Sequence, residues 1–219
     1  MPKKSSVEIF PGLSDPLRGI SWNKETFSVD LLEEIHAWKN RWGLIFYGVK
    51  SKLLVYYRLG SKDPTSALTL YSIIQFIAEH GIPRMIITDS DGVLGAGNKW
   101  KHFLGRLFIP LNLSKPDKHN HNPSDCVIHN LKAGLSKIRN LCGVVVLAYH
   151  WEAMEYLFSL NNYVVRAGLG NPFPYESFLG ETPGISMIQF KFCKPVYYRN
   201  WTKTAGKVLM YLGRFVGFA

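Results

Sequence analysis

Two apolar runs, Leu44-Ile45-Phe46-Tyr47-Gly48-Val49 and Leu53-Leu54-Val55-Tyr56-Tyr57, flank Lys50-Ser51-Lys52, and a third short run, Phe27 to Leu32, lies upstream. A three-residue polar break between β-rich runs is a hairpin signal. The chain therefore opens as three strands in an antiparallel meander, which fixes the start of any sheet it builds. Downstream the period changes. Asp63 can cap a helix with Pro64 at its first position, Leu70, Ile73, Ile74 and Ile77 form one apolar stripe, and Gly81 supplies the stop. Met85-Ile86-Ile87 then runs as a buried strand into Thr88-Asp89. Trp100, Phe103, Leu104 and Leu107 suggest a short helix, and Ile109 to Leu113 a last strand.

Beyond the polar loop Lys115 to His121, Pro123 opens a helix whose core stripe is Ile128, Leu131, Leu135 and Ile138. Asp125, His129, Lys132 and Ser136 share its opposite face at helical spacing. Val144 to Leu160 reads as another helix, with Trp151 and Tyr156 for packing. The predicted fold class is α/β: a mixed sheet with an antiparallel start and helices on both faces, followed by a small basic β-containing C-terminal region. Residues 1–25 read as an irregular arm, 26–165 as the core and 166–219 as a basic extension.

The charge narrows the partners. The net charge is +10, and after Glu181 no acid appears, while Lys191, Lys194, Arg199, Lys203, Lys207 and Arg214 do. A basic segment interleaved with aromatics suits phosphate backbones, and the plainer reading is a solvated face or a patch for an acidic partner. No apolar stretch reaches the roughly 18 residues of a membrane span. The start Met1-Pro2-Lys3-Lys4 lacks an apolar signal core, and three widely spaced cysteines fit reduced thiols. The expected location is intracellular, the nucleus first and an organelle second. Gly95-Ala96-Gly97 lacks the flanking pattern of a phosphate-cradling loop, which weakens a small-molecule enzyme.

Three acids sit where chemistry could use them. Asp30 lies at the edge of the first apolar run, Asp89 closes the buried strand, and Asp125 stands in a first helical turn, with 35 residues between Asp89 and Asp125. In-line phosphodiester chemistry needs charge neutralised on attacking and leaving oxygens. Two divalent ions about 3.5–4 Å apart do this, and carboxylates suit Mg²⁺ because it prefers hard oxygen ligands. Each acid also has an ordinary explanation: Asp89-Ser90-Asp91-Gly92 is a turn signal, Asp125 complements the helix dipole, and Asp30 could cap the segment after it.

The pattern resembles the Asp, Asp, 35 residues, Glu arrangement of retroviral and retrotransposon integrases, with Asp125 in place of the final Glu. Ile82-Pro83-Arg84 and Thr88-Asp89 are similar to the segment before the second acid of copia-class retrotransposon integrases. Asn120-His121-Asn122-Pro123-Ser124-Asp125 looks like a variant of their Gln-Asn-x-x-Glu signature. Glu181-Thr182-Pro183-Gly184-Ile185-Ser186 resembles their Pro-x-Ile-Ser turn. Phe192 to Tyr198 and Leu212-Gly213-Arg214-Phe215-Val216-Gly217 resemble the β segments after the core. The likeness covers roughly residues 26–219.

It implies a ribonuclease H-like core in which Asp30, Asp89 and Asp125 are catalytic and bind Mg²⁺ or Mn²⁺, provided the acids are functional. His129 and Lys132, with the basic residues after Glu181, would face nucleic acid. Asp in place of Glu shortens the third ligand by about one bond, and displacements near 1 Å can cost of order 10²-fold in rate. Cys126 stands where relatives carry Arg. These departures leave two expectations: a metal-dependent strand transferase or nuclease, or a domesticated integrase fold without chemistry. The latter would serve as a nucleic-acid-binding or scaffold subunit of a larger assembly, and on either reading the expected partners are nucleic acid and either a second copy of the chain or a larger complex.

Overall fold

The computed structural model describes residues 22–34, 41–59, 65–89, 94, 98–114, 122–142, 150–164, 173–182, 191–200 and 209–215. Five strands form one sheet: β1 (Thr26–Glu34), β2 (Arg41–Gly48), β3 (Leu54–Arg58), β4 (Met85–Asp89) and β5 (Leu111–Ser114). Their order is β3-β2-β1-β4-β5. The first three pair antiparallel as the hairpin signal requires, and β4 and β5 add in parallel on the other side of β1. The helices are α1 (Ser66–His80), α2 (Asn98–Arg106), α3 (Pro123–Cys142), α4 (His150–Tyr163) and α5 (Pro174–Leu179). A separate two-stranded ribbon, β6 (Pro195–Asn200) with β7 (Leu209–Arg214), comes after them in the chain.

Side chains alternate across a strand, and β1 uses both faces. Phe27 and Val29 join Leu44, Phe46 and Ile86 under α1 and α2, where Phe76 stacks on Phe46 at 4.2 Å between ring centroids. Trp100 is fully buried there, and its indole nitrogen donates to Thr69 Oγ1 at 2.9 Å, so its polar atom is not stranded. On the other face Leu32, Ile45, Tyr47 and Leu54 meet Val127, Leu131, Leu135 and Ile138 of α3 and Met154 and Phe158 of α4. Helices thus cover both faces, which two-sided apolar strands demand.

Several expectations shift in detail. The cap of α1 is Thr65, whose side chain accepts from the Leu68 amide, while Asp63 and Pro64 lie outside the described residues. The Thr65 backbone is extended, so its hydroxyl faces the first free amides. On α3 the buried stripe begins at Val127, and Ile128 is only half-buried. The next helix begins at His150, residues 143–149 lying outside the described set. Phe178 of α5 lies beside Phe27, and the basic segment after Glu181 buries Phe192 and Cys193 under α3 and α4. Among the described residues no helix is long and apolar enough to cross a membrane.

Candidate metal and nucleic-acid site

Register places two of the three acids. Thr26, Phe27 and Ser28 of β1 lie opposite Met85, Ile86 and Ile87 of β4. Continuing that register by two residues sets Asp30 level with Asp89, and two-residue alternation puts both on the face of Ser28 and Ile87. That is the α3 face, because Asp30 pairs across β2 with Ile45, whose side chain belongs to the α3 cluster. Asp89 ends β4, but Asp30 is not a strand end. β1 runs on to Glu34 because β2 pairs it over its whole length, so Asp30 lies just past the point where β4 stops pairing with it.

The third acid arrives on α3. Asp125, in its first turn, hydrogen-bonds the side chain of Asp30. Burial pushes the Asp30 carboxyl up to about 7, and the hydrogen bond to Asp125 pushes the same way. The Leu31 amide, donating to Asp30 Oδ1 at 2.7 Å, pulls it down, while the charges of Asp125 and Asp89 raise it further. Asp30 therefore keeps its proton up to near neutrality, with the Asp89 charge close by. Asp89 is itself fixed by Ser114, whose hydroxyl donates to its Oδ1 at 2.5 Å across the β4–β5 pair.

A buried polar cluster holds α3 against β1. The Ser28 hydroxyl lies within hydrogen-bonding reach of both Asn122 Oδ1 and Ser124 Oγ. Ser124 Oγ donates to Asn122 Oδ1 at 2.8 Å, and Asn122 Nδ2 reaches Asp30 Oδ2 at 3.4 Å. Ser28 and Ser124 are fully buried and Asn122 nearly so. Asn122 and Ser124 lie in the segment likened to the Gln-Asn-x-x-Glu signature, but no motif or spacing gives them or Ser28 a role at the site. The signal available is positional: Ser28 lies two residues before Asp30, hence on the same strand face, and Asn122-Pro123 immediately precedes the helix that carries Asp125.

Asp125 Oδ2 is buried. Carboxylate oxygens are the hard donors Mg²⁺ takes. Among the described residues, however, no group of three Asp, Glu, His or Cys side chains converges tightly enough to hold one ion. The acids form a hydrogen-bonded pair with a third at its flank.

The remaining residues expected to meet nucleic acid are scattered more widely. His129 and Lys132 are exposed on α3, and Lys191, Lys194 and Arg214 are exposed around the start of the β6–β7 ribbon. Arg214 also donates to the Cys193 carbonyl at 3.2 Å. Arg199 lies in β6, and Lys203 and Lys207 fall outside the described residues.

No family model matches the chain, and no curated protein matches it. Solved structures do. The HTLV-2 integrase catalytic core domain in complex with magnesium, in its dimeric form, aligns over 73% of this chain and 98% of that one, with a TM-score of 0.56 at 15% identity. Its trimeric form aligns over 72% and 97%, with a TM-score of 0.54 at 14% identity. The simian T-cell lymphotropic virus intasome in complex with PP2A regulatory subunit B56 gamma aligns over 87% of this chain and 67% of that one, with a TM-score of 0.56 at 16% identity. At such identities the likeness is one of fold. The chain has the mixed α/β fold of a ribonuclease H-like integrase core.

Proposed function

We propose that this chain is an integrase-derived protein that binds nucleic acid and cuts or transfers its strands with a divalent metal held by Asp30, Asp89 and Asp125. The observation that carries the reading is the placement of the Asp30 and Asp125 carboxyls against each other, with the Asp89 charge close by. Helix and sheet bring together two carboxyls that repel one another when both are ionised, and a bound cation would offset that repulsion. The magnesium of the HTLV-2 core complex supports this choice of metal. Bound Mg²⁺ would supply charge neutralisation at a phosphodiester. Asp30 and Asp125 would hold it, Asp89 would face it from the end of β4, and Ser114 would keep Asp89 in place. His129 and Lys132, farther along the helix that carries Asp125, would meet the phosphate backbone, and the lysines and arginines after Glu181 would extend the contact. A copia-class retrotransposon origin is the finer reading, supported by the residues around Asp89 and Asp125.

A second reading has an observation of its own. Because no three donor side chains among the described residues converge on one point, the same fold also suits a scaffold that binds nucleic acid, in a homo-oligomer or a larger complex, without chemistry. Nicking of a labelled duplex in Mn²⁺ separates the two. Catalysis predicts nicking by the native protein, none by Asp125→Ala, and retained or greater nicking by Asp125→Glu. Nicking that survives Asp125→Ala removes the triad; no nicking by either the native protein or the Glu variant favours the scaffold.

A further inference from the structure

A second cluster of reactive side chains lies away from the acids, where the ribbon meets the end of α3. Cys142 is the last residue of α3 and half-buried; Cys193 precedes β6 and is buried. Cys142 lies close enough to Cys193 to raise its thiol, and Cys142 Sγ lies 3.9 Å from the carbonyl oxygen of Phe192, the residue before Cys193. The backbone around Cys193 is held on both sides. Its amide donates to Phe215 O at 2.6 Å, the Lys194 amide donates to Lys191 O at 3.0 Å, and the Phe215 amide donates to Lys194 O at 2.9 Å. Within this frame Cys193 takes φ 62°, a left-handed conformation uncommon for a residue with a side chain. Both thiols line one cavity of about 350 Å³, together with Lys191, Lys194 and Arg214.

We infer that Cys142 and Cys193 are an oxidative modification site, closed to an intramolecular disulfide by an anionic low-molecular-weight disulfide that the Lys191, Lys194 and Arg214 side chains draw into the adjoining cavity. The order of events is set by access. Cys142 is the more open thiol. Burial, then the hydrogen bond and charge of Cys142, push the Cys193 thiol up to about 11, with Arg214 acting the other way. The Cys142 thiolate attacks one sulfur of the small disulfide, and one thiolate leaves, giving a mixed disulfide. Cys193 then gives up its proton and attacks Cys142 Sγ, and the second thiolate leaves. Two protein thiols are oxidised, one small disulfide is reduced to two thiols, and the two protein protons end on the released thiols. The bond would pin the basic ribbon to the helix that carries Asp125.

The test uses the full chain with Cys126→Ser, which removes the exposed third thiol and leaves the pair native. Dilute protein is treated with glutathione disulfide, which is anionic, and separately with cystamine, which is cationic. The expected product is monomeric, has lost two hydrogens, and yields a cross-linked Cys142–Cys193 peptide. Its thermal midpoint lies roughly 5–15 °C above that of the reduced protein, reversibly with dithiothreitol. The reaction should be several-fold faster with glutathione disulfide, and Lys191→Ala with Lys194→Ala should abolish that preference. A lasting mixed disulfide at Cys142, or no reaction at either cysteine, overturns the proposal. Equal rates with the two disulfides overturn the role given to the cavity. Neither readout involves metal or nucleic acid, so the outcome is independent of the function proposed above.

Discussion

Replacing Asp30 by Asn should make the protein more stable at alkaline pH. In the fold the Asp30 carboxyl is raised from 3.8 to about 7 by burial, by its bond to Asp125 and by the neighbouring acidic charges. A carboxyl raised on folding contributes stability that is fully present below its unfolded value, near pH 4, and is lost as pH rises through about 7. A tenfold difference in proton affinity corresponds to about 1.36 kcal/mol, so ionising this group in the fold costs roughly 4 kcal/mol by pH 8. Asparagine is neutral, and its Nδ2 can donate to Asp125 while its Oδ1 keeps the Leu31 amide. The weak 3.4 Å contact from Asn122 is the one interaction it disturbs, at a cost of about 1 kcal/mol. The expected net gain is therefore about 2–3 kcal/mol at pH 8 and about zero near pH 4. Urea unfolding at both pH values, without divalent metal, measures it. Adding Mg²⁺ should stabilise the native protein at pH 8 and leave the variant behind. A variant less stable than the native protein at pH 8, or an unchanged slope of stability with pH, refutes the reasoning.

Three substitutions and one truncation test the packing. Asn122→Ala strips partners from buried Ser28 and Ser124 and should cost about 2–3 kcal/mol in urea unfolding; a loss below about 0.5 kcal/mol would show that the cluster does not hold α3 to β1. Gly43→Ala sets a Cβ 2.1 Å from the Tyr56 ring, which stacks on Phe158 at 4.7 Å; a destabilisation of about 1–3 kcal/mol with altered near-ultraviolet dichroism is expected, and a neutral result would mean the ring moves freely. Phe192→Ala empties a buried position under α3 and α4 and should cost about 3–4 kcal/mol; a chain cut after residue 180 should lose at least as much, and an unaffected core would contradict the packing of the C-terminal segment.

Features whose cause is local were legible in the sequence. The break Lys50-Ser51-Lys52 between β-rich runs and the stripe Leu70, Ile73, Ile74, Ile77 announce themselves through spacing, and they carry the strand and helix order of the sheet with them. Asp30, Asp89 and Asp125 could be nominated because each adjoins an apolar segment, yet no local signal says that Asp30 lies mid-strand. That depends on how far β2 pairs with β1. Ser28, Asn122 and Ser124 look like ordinary turn and cap residues until β1 and α3 are brought together, because burial of a hydroxyl or amide is a property of the partner element. Phe192 and Cys193 were hidden for the same reason: they sit in a basic, proline-broken segment, and only α3 and α4 make them core.

The most direct test of whether Asp30, Asp89 and Asp125 hold divalent metal is diffraction from crystals soaked in Mn²⁺, recorded at the manganese edge. Anomalous density is expected among the three carboxylates, two ions if the site is catalytic, and none in crystals of Asp125→Ala. Native crystals with no manganese between Asp30 and Asp125, or with density unchanged by Asp125→Ala, would contradict a metal site there.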